Sequence, residues 1–162
     1  MADTVTPTDL LIVALQDLYD AETAWIERSE PLQRGASYRI GAYLADEARN
    51  ASSQADRLAV ALAALGGDTA GPPNIWLRAI LDDADRDAAT IAQGPLRDIA
   101  LVGAFRKAKQ AERVSYETAL ALSRRMNQDD LVRALTALRD EEARTDAALV
   151  LLLDTILRDL AV

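Results

Sequence analysis

The sequence of 162 residues contains neither cysteine nor histidine, and each absence excludes several kinds of site. Without cysteine there is no disulfide framework, no thiolate nucleophile and no thiolate-bound zinc or iron–sulfur cluster. Without histidine there is no Ser-His-Asp triad, no histidine-bound zinc or haem, and no general base of the usual kind near neutral pH. Any chemistry must therefore come from carboxylates, hydroxyls, amides, lysine or arginine.

Aromatic residues are also scarce, at 4% of the chain, and the apolar half of the composition consists mainly of alanine and leucine. This composition favours helices over strands. The net charge of −8 comes without any dense run of Lys and Arg, so we expect no nucleic-acid partner. No basic leader followed by an apolar segment and no uncharged apolar run of about 18 residues occurs, so we expect no membrane partner and a cytoplasmic location.

Apolar residues recur at steps of three and four along most of the chain, which predicts an all-α protein. Local signals mark the helix ends: Thr6 as an N-cap followed by Pro7, a stop at Gly66, a second N-cap at Asn74, and a start at Gly94. We predict one domain over residues 1–162, with helices at about 7–33, 37–65, 74–92, 95–126 and 129–160.

Four of these helices have about 30 residues and would span about 45 Å each. An antiparallel four-helix bundle is the economical arrangement, with two helical hairpins and a short crossover helix at 74–92 in the long connection between them. One long crossover is the ferritin-like connectivity. An up-down bundle with an extra surface helix is the alternative, and periodicity alone does not separate the two.

Each long helix carries a glutamate near its middle, at a position where the apolar stripe calls for a core residue. The four residues are Glu22, Glu47, Glu112 and Glu142. A buried carboxylate costs several kcal/mol unless it is paired, neutralised or bound to a cation. In four-helix bundles, such converging carboxylates hold dinuclear metal sites, together with histidines.

Several segments resemble one family, the YciE/YciF family of ferritin-like bacterial stress proteins. The sequence LQDLYDAE at residues 15–22 is similar to the opening signature of that family, LxDLYxAE. Further similarities lie at residues 57–58, 65–66, 98–102 and 138–146, and together they cover residues 10–155. The resemblance implies a bundle of four long helices and a short one, a homodimer, a link to stress responses, and no established activity.

The sequence departs from the family pattern at the metal ligands. Family members usually carry a His and a Glu three residues apart on the second helix, where this chain has Glu47 and Asn50. On the next long helix, Glu-His-x-Glu is replaced by Lys109-Gln110-Ala111-Glu112. A protonated lysine has no lone pair for a metal. We therefore expect the ammonium of Lys109 to replace the charge of the metal by bridging some of the four glutamates.

Polar residues near the four glutamates are expected to belong to the same network. We place Asn50, Gln54, Thr145 and Asp146 there as neighbouring residues. The hydroxyls of Tyr19, Tyr43 and Tyr116 either point into the network or only accompany packed rings, and Trp25 and Trp76 are expected to anchor the core or an interface.

Three kinds of function remain open. The first is a non-enzymatic member of a stress-associated family in which a salt-bridge cluster replaces the metal; it needs no cofactor and has no catalytic residue. The second is a protein whose Glu22, Glu47, Glu112 and Glu142 bind iron, manganese or magnesium for oxidase, peroxide-detoxifying or metal-storage activity. The third is a protein-interaction module.

Overall fold

The computed structural model describes residues 4–160, and this part of the chain folds into five α-helices with no strand. The all-helical prediction is confirmed, and no predicted helix end differs from the observed one by more than two residues. The helices are α1 Pro7–Gln33, α2 Tyr38–Ala64, α3 Ile75–Thr90, α4 Pro95–Arg125 and α5 Asp129–Asp159.

Side-chain caps begin the first three helices. Thr6 and Asp9 form a reciprocal capping box at the start of α1, and Ser37 caps α2. The Oδ1 of Asn74 accepts the backbone N–H of Leu77 at 2.9 Å and so caps α3. These caps satisfy N–H groups that the first turn of a helix leaves free, which is why the local sequence marks these starts.

Two helices end in the same reverse turn. At the end of α2, Gly66 has a φ of +77°, and the N–H of Gly67 donates to the carbonyl of Leu62 at 2.9 Å. At the end of α4, Asn127 takes the left-handed conformation and the N–H of Gln128 donates to the carbonyl of Ser123 at 3.1 Å. Both are Schellman turns, in which a residue with positive φ lets the chain reverse and satisfies the last carbonyls.

Four long helices pack side by side. Four residues connect α1 to α2 and three connect α4 to α5, so each pair is an antiparallel hairpin. Across the pairs, α1 contacts α4 and α2 contacts α5, which closes the ring. The long connection from α2 to α4 contains α3, and α3 packs on α1 and α4. No helix of residues 4–160 is both long and apolar enough to span a membrane.

The core consists of two apolar clusters with a polar layer between them. One cluster includes Trp25, Leu44 and Phe105, and the other includes Leu15 and Tyr116. On α2, α4 and α5 a buried polar residue separates the residues of one cluster from those of the other, and on α1 the change from one cluster to the other falls between Leu18 and Ala21, next to Glu22. The buried polar residues of this layer are Glu22, Glu47, Gln54, Lys109, Glu112 and Glu142.

Candidate functional site

All four glutamates that the sequence places inward are buried, each with at most 1% of its surface exposed. Glu22 lies on α1, Glu47 on α2, Glu112 on α4 and Glu142 on α5. Each replaces one apolar residue of a helix stripe, so the packing of the four helices brings the carboxylates to the same level of the core.

Lys109 is the centre of this group, and its side chain has no exposed surface. Its Nζ lies 2.9 Å from Oε2 of Glu112 and 2.8 Å from Oε2 of Glu142, and it also forms an ion pair with Oε1 of Glu47. The same Nζ lies 4.8 Å from the centre of the Trp25 ring, a distance at which a cation is attracted to the face of an indole. We call Lys109, Glu47, Glu112 and Glu142 the lysine–carboxylate cluster.

Each carboxylate of the cluster uses its second oxygen to accept a hydrogen bond from a neutral group. Trp25 Nε1 donates to Oε1 of Glu112 at 3.1 Å, and Gln54 Nε2 donates to Oε1 of Glu142 at 2.7 Å. The hydroxyl of Tyr43 is 3.4 Å from Oε2 of Glu47, which it approaches as a weak donor. Every carboxylate therefore has one charged and one neutral partner, the condition under which buried ions are tolerated.

Glu22 has a different environment from the other three glutamates. Its Oε1 accepts a hydrogen bond from the hydroxyl of Tyr116 at 3.1 Å, and it forms no ion pair within residues 4–160. Its Oε2 is buried without a hydrogen-bond partner in the same part of the chain. The structure thus separates three ion-paired glutamates from one that lies beside them.

Burial raises the pKa values of three of these carboxyls. The pKa of Glu22 is raised well above its usual value by burial, then by the charges of Glu112 and Glu142. Burial also raises the pKa of Glu112 well above normal, although Lys109 opposes the shift. For Glu47 burial again raises the pKa against the attraction of Lys109. Glu22 forms no ion pair with a cation among residues 4–160, so the charges of the neighbouring glutamates add to the effect of burial on its pKa.

Lys109 remains a cation in this environment. Burial by itself would lower the pKa of its ammonium, but Glu112, Glu142 and Glu47 together raise the pKa well above its usual value. A charged lysine offers three donors and no lone pair, and here its Nζ forms ion pairs with three carboxylates. The arrangement excludes a neutral, nucleophilic lysine.

The residues present do not fit a dinuclear metal centre. The oxygens of Glu47, Glu112 and Glu142 that face the middle of the cluster are all in contact with the ammonium of Lys109. Among residues 4–160, no group of three or more acidic side chains is placed to hold a metal ion. A cation at the centre would have to displace Lys109 first.

The other network residues predicted from sequence divide into two groups. Gln54 joins the cluster through Glu142, whereas Asn50 is exposed, contrary to the expectation that it faces inward. The neighbouring Ala51 is buried instead, because one residue turns a helix face by about 100°. Thr145 is half-buried and has no hydrogen bond to the cluster.

Asp146 is buried, but its contacts lead away from the cluster. Its Oδ1 accepts from Nε of Arg106 at 2.8 Å, and its Oδ2 accepts from Nε2 of Gln110 at 2.6 Å. Both partners lie on α4, so Asp146 ties α5 to α4 at the surface. It therefore belongs to a separate polar network.

Trp25 is a member of the site that the sequence pattern does not predict, since the pattern indicates only an anchor of the core or of an interface. Its indole contacts both Lys109 and Glu112. The available signal was its position three residues after Glu22, on the same face of α1. Tyr43 and Tyr116 do direct hydroxyls to the glutamates, whereas Tyr19 packs against the core; Trp76 donates to Asp17 at 3.1 Å and fixes α3 on α1.

Two solved structures are similar to this chain over nearly its whole length. The E. coli stress protein YciF has a TM-score of 0.90 and 20% sequence identity, and the match covers 96% of this chain and 99% of that one. YcfI from Rhodopseudomonas palustris has a TM-score of 0.85 and 26% identity, with coverage of 91% and 95%. No curated protein matches the chain.

The family is shown by the sequence itself. Residues 6–161 match the profile of a family described as a domain of unknown function, DUF892. This match spans almost the entire chain and agrees both with the sequence resemblance to the YciE/YciF family and with the structural similarity to YciF. The chain belongs to the DUF892 family.

Proposed function

We propose that this chain is a ferritin-like, stress-associated protein in which a buried lysine–carboxylate cluster replaces the dinuclear metal centre of the fold. One observation carries the proposal. The Nζ of Lys109, fully buried, contacts one carboxylate oxygen from each of three helices, α2, α4 and α5. In this role the cluster joins the helices and performs no catalysis.

The helix connectivity supports the ferritin-like assignment. The neighbours in the ring are α1 and α2, α1 and α4, α2 and α5, and α4 and α5, and a single long connection joins α2 to α4. One long crossover in a four-helix bundle is the ferritin-like pattern. Stress association is taken from the family resemblance and from the name of the structurally similar E. coli protein.

The charge balance of the core also supports the proposal. A dinuclear centre of divalent ions would bring about four positive charges to its carboxylates, whereas Lys109 brings one. The remaining carboxyls must then be protonated or hydrogen-bonded to neutral donors. Two features agree with this requirement: burial raises the pKa of Glu22 well above its usual value, and Trp25 and Gln54 donate to the second oxygens of Glu112 and Glu142.

The variant Lys109→Glu tests this role of the lysine. Removal of the ammonium adds a carboxylate to four others, so we expect the variant to be destabilised and to regain stability with added Mn²⁺ or Fe²⁺. The melting temperature of the wild-type protein and of the exposed control Lys107→Glu should not change with metal. A wild-type protein whose melting temperature falls on treatment with a chelator would contradict the proposal.

The second candidate function is a metal-binding protein that uses iron, manganese or magnesium in oxidase, peroxide-detoxifying or storage chemistry. The observation in its favour is the convergence of four glutamates, one of which, Glu22, has an oxygen without a hydrogen-bond partner among residues 4–160. It requires Lys109 to leave the cluster. The metal content of the purified protein decides between the two candidates.

The family resemblance further supports a homodimer. We expect light scattering on the purified protein to give twice the chain mass of 17.5 kDa. A monomer at micromolar concentration would contradict this part of the proposal.

A further inference from the structure

We draw no further inference here: the strongest candidate, the apolar groove between the end of α2 and the start of α5 that is lined in part by Val60, Leu65 and Leu131, carries none because nothing in residues 4–160 shows what covers it.

Discussion

Lys109 matters at the scale of the residue because three buried carboxylates depend on one ammonium. Glu47, Glu112 and Glu142 each turn one oxygen to its Nζ. A buried ion pair adds little net stability compared with apolar residues of the same shape, but removal of one partner leaves the other charge uncompensated. The cost of removing Lys109 is therefore the cost of stranding its three partners.

The variant Lys109→Met measures this cost directly. We expect a loss of about 3–5 kcal/mol in the free energy of unfolding at pH 8, because the methionine fills the space without supplying a charge. The loss should shrink towards pH 5, where the stranded carboxyls take up protons. Urea unfolding of the variant and the wild type at pH 8 and at pH 5 measures the loss at each pH. Lys107→Met, an exposed lysine on the same helix, should change stability by less than about 0.5 kcal/mol.

Glu22 should make the protein less stable as the pH rises. Burial raises the pKa of its carboxyl in the folded state above that of the unfolded chain. The contribution of Glu22 to the free energy of unfolding is therefore complete at pH values below the pKa of the carboxyl in the unfolded chain. It is lost as the pH rises through the pKa of the carboxyl in the folded protein. The loss amounts to about 1.4 kcal/mol per pH unit over the range where only the folded state holds the proton.

The variant Glu22→Gln cannot ionise and should remove this dependence. We expect it to match the wild type near pH 4.5 and to exceed its stability at pH 8, as measured by urea unfolding at several pH values. Glu30→Gln, an exposed glutamate on α1, should leave the slope unchanged. Parallel curves for Glu22→Gln and the wild type would show that Glu22 is ionised in the folded protein.

At the scale of the element, the position of α3 depends on Asn74. Its Oδ1 caps the helix, and its Nδ2 donates to the carbonyl of Asp17 on α1 at 3.0 Å. Arg78, one turn later, bonds to Asp20 of α1 at 2.8 Å and 2.9 Å. The buried side chain of Asn74 therefore both caps α3 and attaches it to α1.

Asn74→Ala should destabilise the protein by about 1–3 kcal/mol, since it removes the cap and leaves the buried carbonyl of Asp17 without its donor. Asn74→Ser keeps a capping oxygen and loses the amide donor, so its loss should be smaller. Thermal unfolding followed by circular dichroism ranks the stabilities of the wild type, the serine variant and the alanine variant. If the serine and alanine variants are equally destabilised, the cap contributes nothing.

Helix limits and the inward glutamates could be predicted because both depend on local sequence. Thr6, Asn74 and Gly66 act within one turn of the chain, and the four glutamates interrupt stripes with a fixed period. Asn50 could not be placed because it lies next to the edge of its stripe, where one residue decides the face. The contact of Trp25 with Lys109 depends on the packing of α1 against α4, which a helix period does not contain.

At the scale of the whole molecule, the lysine–carboxylate cluster joins parts of the chain that are far apart in sequence. Glu47, Lys109 and Glu142 come from α2, α4 and α5, and Trp25 adds α1. The hairpins α1–α2 and α4–α5 can form from nearby residues, but the layer between the two apolar clusters exists only when they associate. We therefore expect the cluster to fix how the hairpins pair, as buried polar groups do in some other helical assemblies.

The metal content of the wild-type protein tests the central claim most directly. The chain should be produced without a tag in cells grown with added iron and manganese, and metal atoms per folded chain should be counted by elemental analysis. We expect less than about 0.1 metal atoms per chain, because Lys109 contacts the carboxylate oxygens that a metal would need. About two atoms per folded chain, the number in a dinuclear centre, would contradict the replacement of the metal by Lys109.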